Sequence, residues 1–363
     1  MRQLLDVCLV NGPFGDPGLY VDLRDERRAL LFDLGDISAL SPRKLLRLSH
    51  VFISHTHMDH FIGFDQLLRV VLGRKQQLTL IGGPGLVAQV EHKLRAYTWN
   101  VVQRYQVALV LEVQEVHPDG QGKRACFGSH SGFARDGDAP LAARGDVLLD
   151  DSLLRVRGRF VDHGMPCLAF AIEEKPRPRV AKNRLAAMGL GTGAWLGALR
   201  LAIQSGAPAS TPLQLHWRDR LGEHTHTRSV GELAAMVLDF SPGLRIGYVT
   251  DLCDTEANHR VLAQLLGGVD RLYIESGFLH ADRAQAERKH HLTAQQAGCI
   301  AGSLHARALV PFHFSPRYMK HGGALADEAR AAWLASIGAP RPAADVDAAS
   351  ALQAPGAWTR AMR

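Results

Sequence analysis

With 363 residues, 46% of them hydrophobic and 21% charged, the chain has the make-up of an ordinary soluble protein with material for a sizeable core. No apolar run approaches the ~20 residues a membrane span needs. Residues 1–10, apolar but broken by Asp6, are too short and interrupted for a secretory signal, so no membrane partner and a cytoplasmic location are expected. The net charge of +6 leans toward a polyanionic partner.

Short apolar or alternating runs that end in polar residues read as strands: "RALLFDLGD" (28–36), "LSHVFISH" (48–55), "LLRVRGRFVDH" (153–163), "LRIGYVTD" (244–251), "VDRLYIES" (269–276) and "ARALVPFH" (306–313). Helical periods lie between them at 64–74, 84–97 and 293–306, and the alternation predicts an α/β layered architecture. A single domain is expected over 1–339, with insertions at about 117–145, read as a long loop or hairpin, and 173–228. The Ala/Pro-rich stretch 340–363 reads as a loosely ordered tail. Cys8, Cys126, Cys167, Cys253 and Cys299 are scattered and form no Cys-x-x-Cys pair. They indicate neither a disulfide framework nor a cysteine-ligated zinc, and are expected as reduced, mostly buried thiols.

The decisive segment is "ISHTHMDHFIG", which places His55, His57, Asp59 and His60 directly after an apolar strand. Four potential ligands in six residues can serve two adjacent metals, and imidazole with carboxylate suits zinc or manganese. A lone His-x-His is more often a surface pair, but the full His-x-His-x-Asp-His after a strand is far more specific. Three further strands end in His163, Asp251 and His313, and open α/β sheets place their ligands at that edge. The expected division is His55, His57 and His163 on one metal, Asp59, His60 and His313 on the other, and Asp251 as the bridge. Asp33 is expected to support the metal loop or a ligand histidine from behind. His224 and His226 lie in a polar segment without strand context and read as solvated.

This ordered set resembles the metallo-β-lactamase superfamily, and within it most closely the RNase Z family, which trims the 3′ ends of precursor transfer RNA. "LTLIGGPGLVAQVE" (78–91), the 145–175 region, "HHLTAQQAG" (290–298) and above all "HFSPRY" (313–318) carry the likeness. It implies an αββα four-layer sandwich, two zinc ions (manganese is the alternative), an RNA partner and a homodimer. It also implies a proton-donating histidine at His291 and its acidic partner at Glu275, where only the glutamate of the family's His-Glu-Ala-Thr motif is kept. The family's transfer-RNA-gripping arm corresponds to 186–200, which keeps glycines and lacks prolines.

The implied chemistry is in-line hydrolysis of a phosphodiester by a water activated between two metals ~3.5–4 Å apart. Asp59 would orient the water, His291 would protonate the leaving oxygen, and Arg317 would touch the phosphate unless it only holds the closing turn. Arg155, Arg157 and Arg159 share a strand face that would either track nucleic-acid backbone or be solvated. Hydrolysis of a thioester, lactone or cyclic phosphodiester is the alternative. A non-catalytic binding relative is disfavoured because no ligand is lost.

Overall fold

The structure is a computed structural model, and it describes residues 4–337 apart from 25, 143–144, 221 and 242. The expected loose tail lies outside the described residues. The chain divides into two compact units, Met1–Glu174 with Leu244–Arg341, and Lys175–Gly243.

In chain order the strands are β1 Leu5–Leu9, β2 Leu19–Leu23, β3 Arg28–Phe32, β4 Leu48–Ile53, β5 Gln77–Gly82, β6 Val110–Val116, β7 Gly122–Gly128 and β8 Ala139–Pro140. There follow β9 Val147–Asp150, β10 Leu154–Asp162, β11 Pro166–Glu174, β12 Arg177–Val180, β13 Pro212–Asp219, β14 Gly222–Ser229, β15 Leu238–Ser241, β16 Arg245–Val249, β17 Arg271–Glu275 and β18 Leu309–Phe312. In the first unit β1 to β8 form one sheet in sequence order, parallel from β3 to β6 and antiparallel at both flanks. The second sheet runs β18-β17-β16-β11-β10-β9, parallel across β16 to β18. All six strands expected from the sequence are present. The 117–145 stretch forms β7 and β8, so of the two expectations the hairpin is the one observed.

Side chains alternate across each strand, and that period decides the layers. Leu30 and Phe32 of β3, with Phe52 of β4, face Phe170 of β11 and Tyr248 of β16 in the core between the sheets. Phe32 stacks on Phe52 at 4.7 Å and meets Phe170 edge-on at 5.3 Å. The opposite faces, with Ala29 and Leu31, pack under the helices Phe64–Val71 and Leu86–Arg95. The outer face of the second sheet packs under Glu256–Leu266 and Ala294–Ser303. Helix, sheet, sheet and helix thus make the αββα sandwich, with each sheet apolar on both faces as a doubly covered sheet must be.

The second unit pairs β12 with β15 and β13 with β14, and adds the helices Lys182–Ala187, Trp195–Gln204 and Val230–Val237. Its own core is Leu185, Trp195, Leu199, Leu215, Trp217, Leu233 and Val237. Ser229 and Glu232 close the last helix with a reciprocal capping box. Gly191 and Gly193 pack inside this unit, whereas Gly189 is exposed. A Cβ at Gly191 would sit 2.0 Å from the Trp217 ring, and one at Gly193 2.4 Å from the His216 carbonyl oxygen. His224 and His226 belong to β14, contrary to the expectation of no strand context, and their rings stack on Trp217 at 5.1 and 5.3 Å.

Candidate metal centre

The strand β4 stops at Ile53, and the chain then runs through Ser54 and His55 into a short helix, Met58–Phe61, with His57 at its N-cap. That one turn swings Asp59 and His60 around to the same point as His55. The loop sits tightly against the turn after β3. A Cβ at Gly35 would lie 2.4 Å from the Asp59 carbonyl oxygen, and one at Gly63 2.2 Å from the Gly35 carbonyl oxygen, so both positions require glycine. From the second sheet, His163 follows β10 directly, Asp251 comes two residues after β16, and His313 follows β18. Asp33 and His313 both hold left-handed backbone, φ 59° and 57°, at these strand ends. Non-glycine residues seldom do so except where the surroundings over-determine them.

All seven expected ligands converge. His55, His57, His163 and Asp251 offer atoms within 4.8 Å of one another, as do Asp59, His60 and His313, and as do Asp251, His291 and His313. The Asp251 carboxylate sits at the centre. Its Oδ2 lies 3.6, 3.4 and 3.5 Å from Nε2 of His55, His60 and His163, and its Oδ1 lies 3.1 Å from Nε2 of His313. Asp59 Oδ2 stands 3.6 Å from His60 Nε2 and 3.7 Å from His313 Nε2.

These residues fit a pair of cations. The Nε2 atoms of His55 and His60 are buried with no hydrogen-bond partner, a cost proteins avoid unless something else fills the role. Ligand atoms on a tetrahedral zinc with bonds of ~2.0–2.1 Å stand about 3.3 Å apart, close to the spacing around Asp251. The electrostatics point the same way. Burial opposes charge on His60 and His313, but Asp251, joined at His60 by Asp33, overrides it and raises both. Against its own burial, Asp251 is held well below the usual carboxylate range by His313 and His60. Burial, then the neighbouring His60, push His55 down to about 2, and burial lowers His163. The field favours positive charge at the centre, while His55 and His163 present neutral rings to it.

The far nitrogens are held as well. His163 Nδ1 donates to the His290 carbonyl at 2.8 Å. Asp33, expected to support the metal loop or a ligand histidine, is fully buried and accepts from Ser54 N at 2.7 Å, Ser54 Oγ at 3.0 Å, His60 Nδ1 at 3.0 Å and the Tyr248 hydroxyl at 3.1 Å. Ser54, Tyr248 and His290 were not anticipated. Ser54 and His290 lie inside the quoted segments 53–63 and 290–298 but are not ligand types or roles those segments single out, and only the inward alternation of Tyr248 along β16 hinted at its position.

His291 and Glu275 form the second pair. Glu275 is buried; its Oε1 accepts from Leu252 N, beside Asp251, at 2.9 Å, and its Oε2 from His291 Nδ1 at 3.0 Å. Burial would lower His291, but Glu275 and then Asp251 outweigh it and bring it up to about 9. His291 Nδ1 lies 3.9 Å from Asp251 Oδ1, which puts this pair at the rim of the cluster.

Other expectations fare differently. Arg317 Nη1 donates to Gln285 at 2.6 Å, lies 3.8 Å from Asp282, and its guanidinium sits over Phe278 and Tyr318. Arg155, Arg157 and Arg159 are matched by Asp150, Asp146 and Glu173 at 2.9–3.4 Å, so that face offers little uncompensated charge. The thiols were expected mostly buried, yet only Cys167 is; Cys8 and Cys299 are exposed, and Cys126 and Cys253 are half-buried. A cavity of about 690 Å³ lies apart from the cluster, by Gln114, His117, Arg124 and Phe160, and none of the seven residues lines it.

Known proteins resemble this chain in sequence and fold. Residues 197–314, which include Asp251, Glu275, His291 and His313, match the model of the beta-lactamase superfamily domain. The chain is 31% identical over 320 residues to ribonuclease Z of Deinococcus radiodurans, covering 87% of this chain and 91% of that one. It is 27% identical over 305 residues to ribonuclease Z of Treponema pallidum, covering 82% and 81%. Its fold is similar to that of human tRNase Z, short form (TM-score 0.51, 18% identity, 86% and 93% covered). It is also similar to a metallo-beta-lactamase fold protein of Bacillus subtilis (TM-score 0.51, 13% identity, 91% and 93% covered). With that identity over nearly its whole length, on an αββα sandwich where seven His and Asp side chains able to hold metal meet at one point, the chain belongs to the ribonuclease Z family and is a metal-dependent hydrolase.

Proposed function

We infer that the chain is an endoribonuclease that hydrolyses a phosphodiester of RNA, with the 3′ end of precursor transfer RNA as its substrate and two zinc ions as its cofactor. Manganese would suit the same oxygen and nitrogen ligands. The observation that carries the reading is the completeness of the candidate ligand set around Asp251 together with His291, held beside it by the buried Glu275. Two divalent ions held there would activate a water near neutral pH and offset charge on the phosphate.

The protein's own groups do the rest. Asp59, with its carboxylate partly open to solvent, orients the attacking water. Glu275 takes the Nδ1 proton of His291 in a hydrogen bond, which leaves Nε2 as the end that meets substrate. The Glu275 carboxylate favours the protonated form of His291, which can then hand a proton to the departing 3′-oxygen, a contribution of ~10²–10⁴-fold. Arg317 touches a non-bridging phosphate oxygen with the part of its guanidinium not turned to Gln285.

The 175–243 unit is the RNA-holding module of an otherwise single hydrolase domain. It carries nine Lys and Arg against four Asp and Glu, a net of +5 out of the chain's +6. Exposed Arg218, Arg220 and Arg228 stand on or beside its hairpin. Phosphate backbone is the natural partner of such a surface. No helix among the described residues is long and apolar enough to cross a membrane. A cytoplasmic location and a homodimer belong to this reading through the family likeness.

The test is cleavage of a precursor transfer RNA beside an unstructured RNA by wild type, His57→Ala and His291→Ala. One cut in the precursor alone, lost in His57→Ala, is expected. Turnover of thioesters or lactones without any release of p-nitrophenol from bis(p-nitrophenyl) phosphate would overturn the phosphodiester chemistry.

A further inference from the structure

Behind the metal-facing nitrogens lies a buried layer whose protons can be assigned. The Ser54 Oγ is 3.0 Å from Asp33 Oδ2, 3.1 Å from His55 Nδ1 and 3.3 Å from His60 Nδ1, and it has one proton to give. A carboxylate oxygen can only accept, whereas an imidazole nitrogen can do either, and a hydrogen bond to an ionised partner is roughly twice as strong as a neutral one. The hydroxyl proton therefore goes to Asp33. The Ser54 oxygen is then left with lone pairs only, and the group that can fill one is the Nδ1–H of His55. That choice bares His55 Nε2, the atom that faces Asp251 at 3.6 Å and has no hydrogen-bond partner. His60 needs no intermediary: its Nδ1 donates to Asp33 at 3.0 Å, so Nε2 is the nitrogen that gives up a proton when a metal binds.

We propose that Ser54 is a positioning residue that passes the preference of the Asp33 carboxylate on to His55. One buried carboxylate thereby fixes the Nδ1 proton in a ligand of each half of the centre, directly at His60 and, as the neutral tautomer, through a hydroxyl at His55. The proposal rests on the two-metal reading only for what the bared Nε2 is for; the tautomer itself is a property of the metal-free chain. Two neighbours supply controls. Cys167 Sγ is the competing acceptor, 3.6 Å from His55 Nδ1, but a thiol is a weak acceptor and the separation is longer. The Tyr248 hydroxyl donates to the same Asp33 oxygen as Ser54 and is bonded to no ligand histidine. The Ser54 backbone N–H to Asp33 Oδ1 bond survives any side-chain change, so the loop keeps its anchor in the variants.

The experiment is long-range proton–nitrogen NMR on the full, metal-stripped chain labelled with ¹⁵N-histidine. It is paired with zinc uptake measured by competition against a chromophoric chelator. Wild type should show His55 with the proton on Nδ1. Ser54→Ala should lose that preference and weaken uptake of one zinc of the two by about 10–100-fold, the usual effect of removing a group that orients a ligand. Ser54→Thr, which keeps the hydroxyl, should restore both, while Cys167→Ala and Tyr248→Phe should leave the His55 tautomer unchanged. A Ser54→Ala protein with the wild-type tautomer, a Ser54→Thr protein that behaves like Ser54→Ala, or a tautomer that follows Cys167 instead would each overturn the proposal. A wild type that takes up no zinc would count against the two-metal reading, and the tautomer comparison would still decide the role of Ser54.

Discussion

The two units of this chain are built on opposite principles. The sandwich draws its seven candidate ligands from four strand ends spread over more than 250 residues of sequence and gathers them around one buried carboxylate, Asp251. It holds only about one sixth of the chain's net charge, and its conspicuous arginines on β10 are neutralised by neighbouring carboxylates. The 175–243 unit is local, a hairpin and three helices around Trp195 and Trp217, and its basic side chains are in excess. One unit concentrates precision at a point; the other spreads charge over a surface. Chemistry at a bond needs groups fixed within a fraction of an ångström, while holding a polyanion needs mainly sign and reach.

That contrast can be broken most severely at its centre. Asp251→Ala removes the carboxylate that four histidines share, and it should abolish turnover of RNA and of bis(p-nitrophenyl) phosphate alike. RNA binding in a filter assay should persist, because the basic unit is untouched. Loss of binding together with turnover would show that the division of labour is wrong. His291→Ala is the next largest effect. It should cost ~10²–10⁴-fold in kcat on RNA, whose leaving oxygen needs a proton. The same variant should turn over bis(p-nitrophenyl) phosphate almost normally, since p-nitrophenolate leaves unaided, and its metal content should stay that of wild type. An equal loss on both substrates would make His291 a ligand rather than an acid.

The same contrast explains what could be read from the residues alone. Strand ends were legible because apolar alternation in "LRIGYVTD" or "ARALVPFH" stops abruptly at a side chain that has no place in a core. His55 to His60 were legible because six residues carry the whole pattern. Ser54, Tyr248 and His290 were not, since a serine, a buried tyrosine and a backbone carbonyl become informative only when distant strands bring Asp33 and His163 beside them. In the basic unit the difficulty was of another kind. "EHTHTR" has strand period but polar residues on both faces, and the partner that stacks on one face, Trp217, sits across the hairpin. The glycines of 186–200 look like a free tip in sequence, yet two of them are spaces filled by neighbours.

A milder change sharpens the surface half of the comparison. Replacing Arg218, Arg220 and Arg228 together by alanine should raise KM for precursor RNA and flatten its salt dependence. Every phosphate left without its arginine should take about 0.7–0.9 off the slope of log affinity against log salt. Turnover of bis(p-nitrophenyl) phosphate, which is too small to reach a separate surface, should not move. A salt slope identical to wild type would place the polyanion elsewhere on the molecule.

The smallest expected effect tests whether the basic unit stands on its own packing. Gly191→Ala puts a methyl group where the Trp217 ring now lies, at 2.0 Å from the new Cβ, so the indole must move. Trp217 is sandwiched by His224 and His226 and sits in the unit's core, and it has little room to do so. Overpacking of this sort costs about 1–3 kcal/mol. Because the strain falls within 175–243, urea should unfold that unit earlier, seen as a separate early change in tryptophan emission. Zinc content and turnover of bis(p-nitrophenyl) phosphate should stay those of wild type until the sandwich itself unfolds. Compare Gly35→Ala, whose Cβ would press on the Asp59 carbonyl at 2.4 Å: there the same methyl group should take the metals with it. If the two glycine variants fail alike, the units share one cooperative transition, and the separation of point from surface holds for function but not for folding.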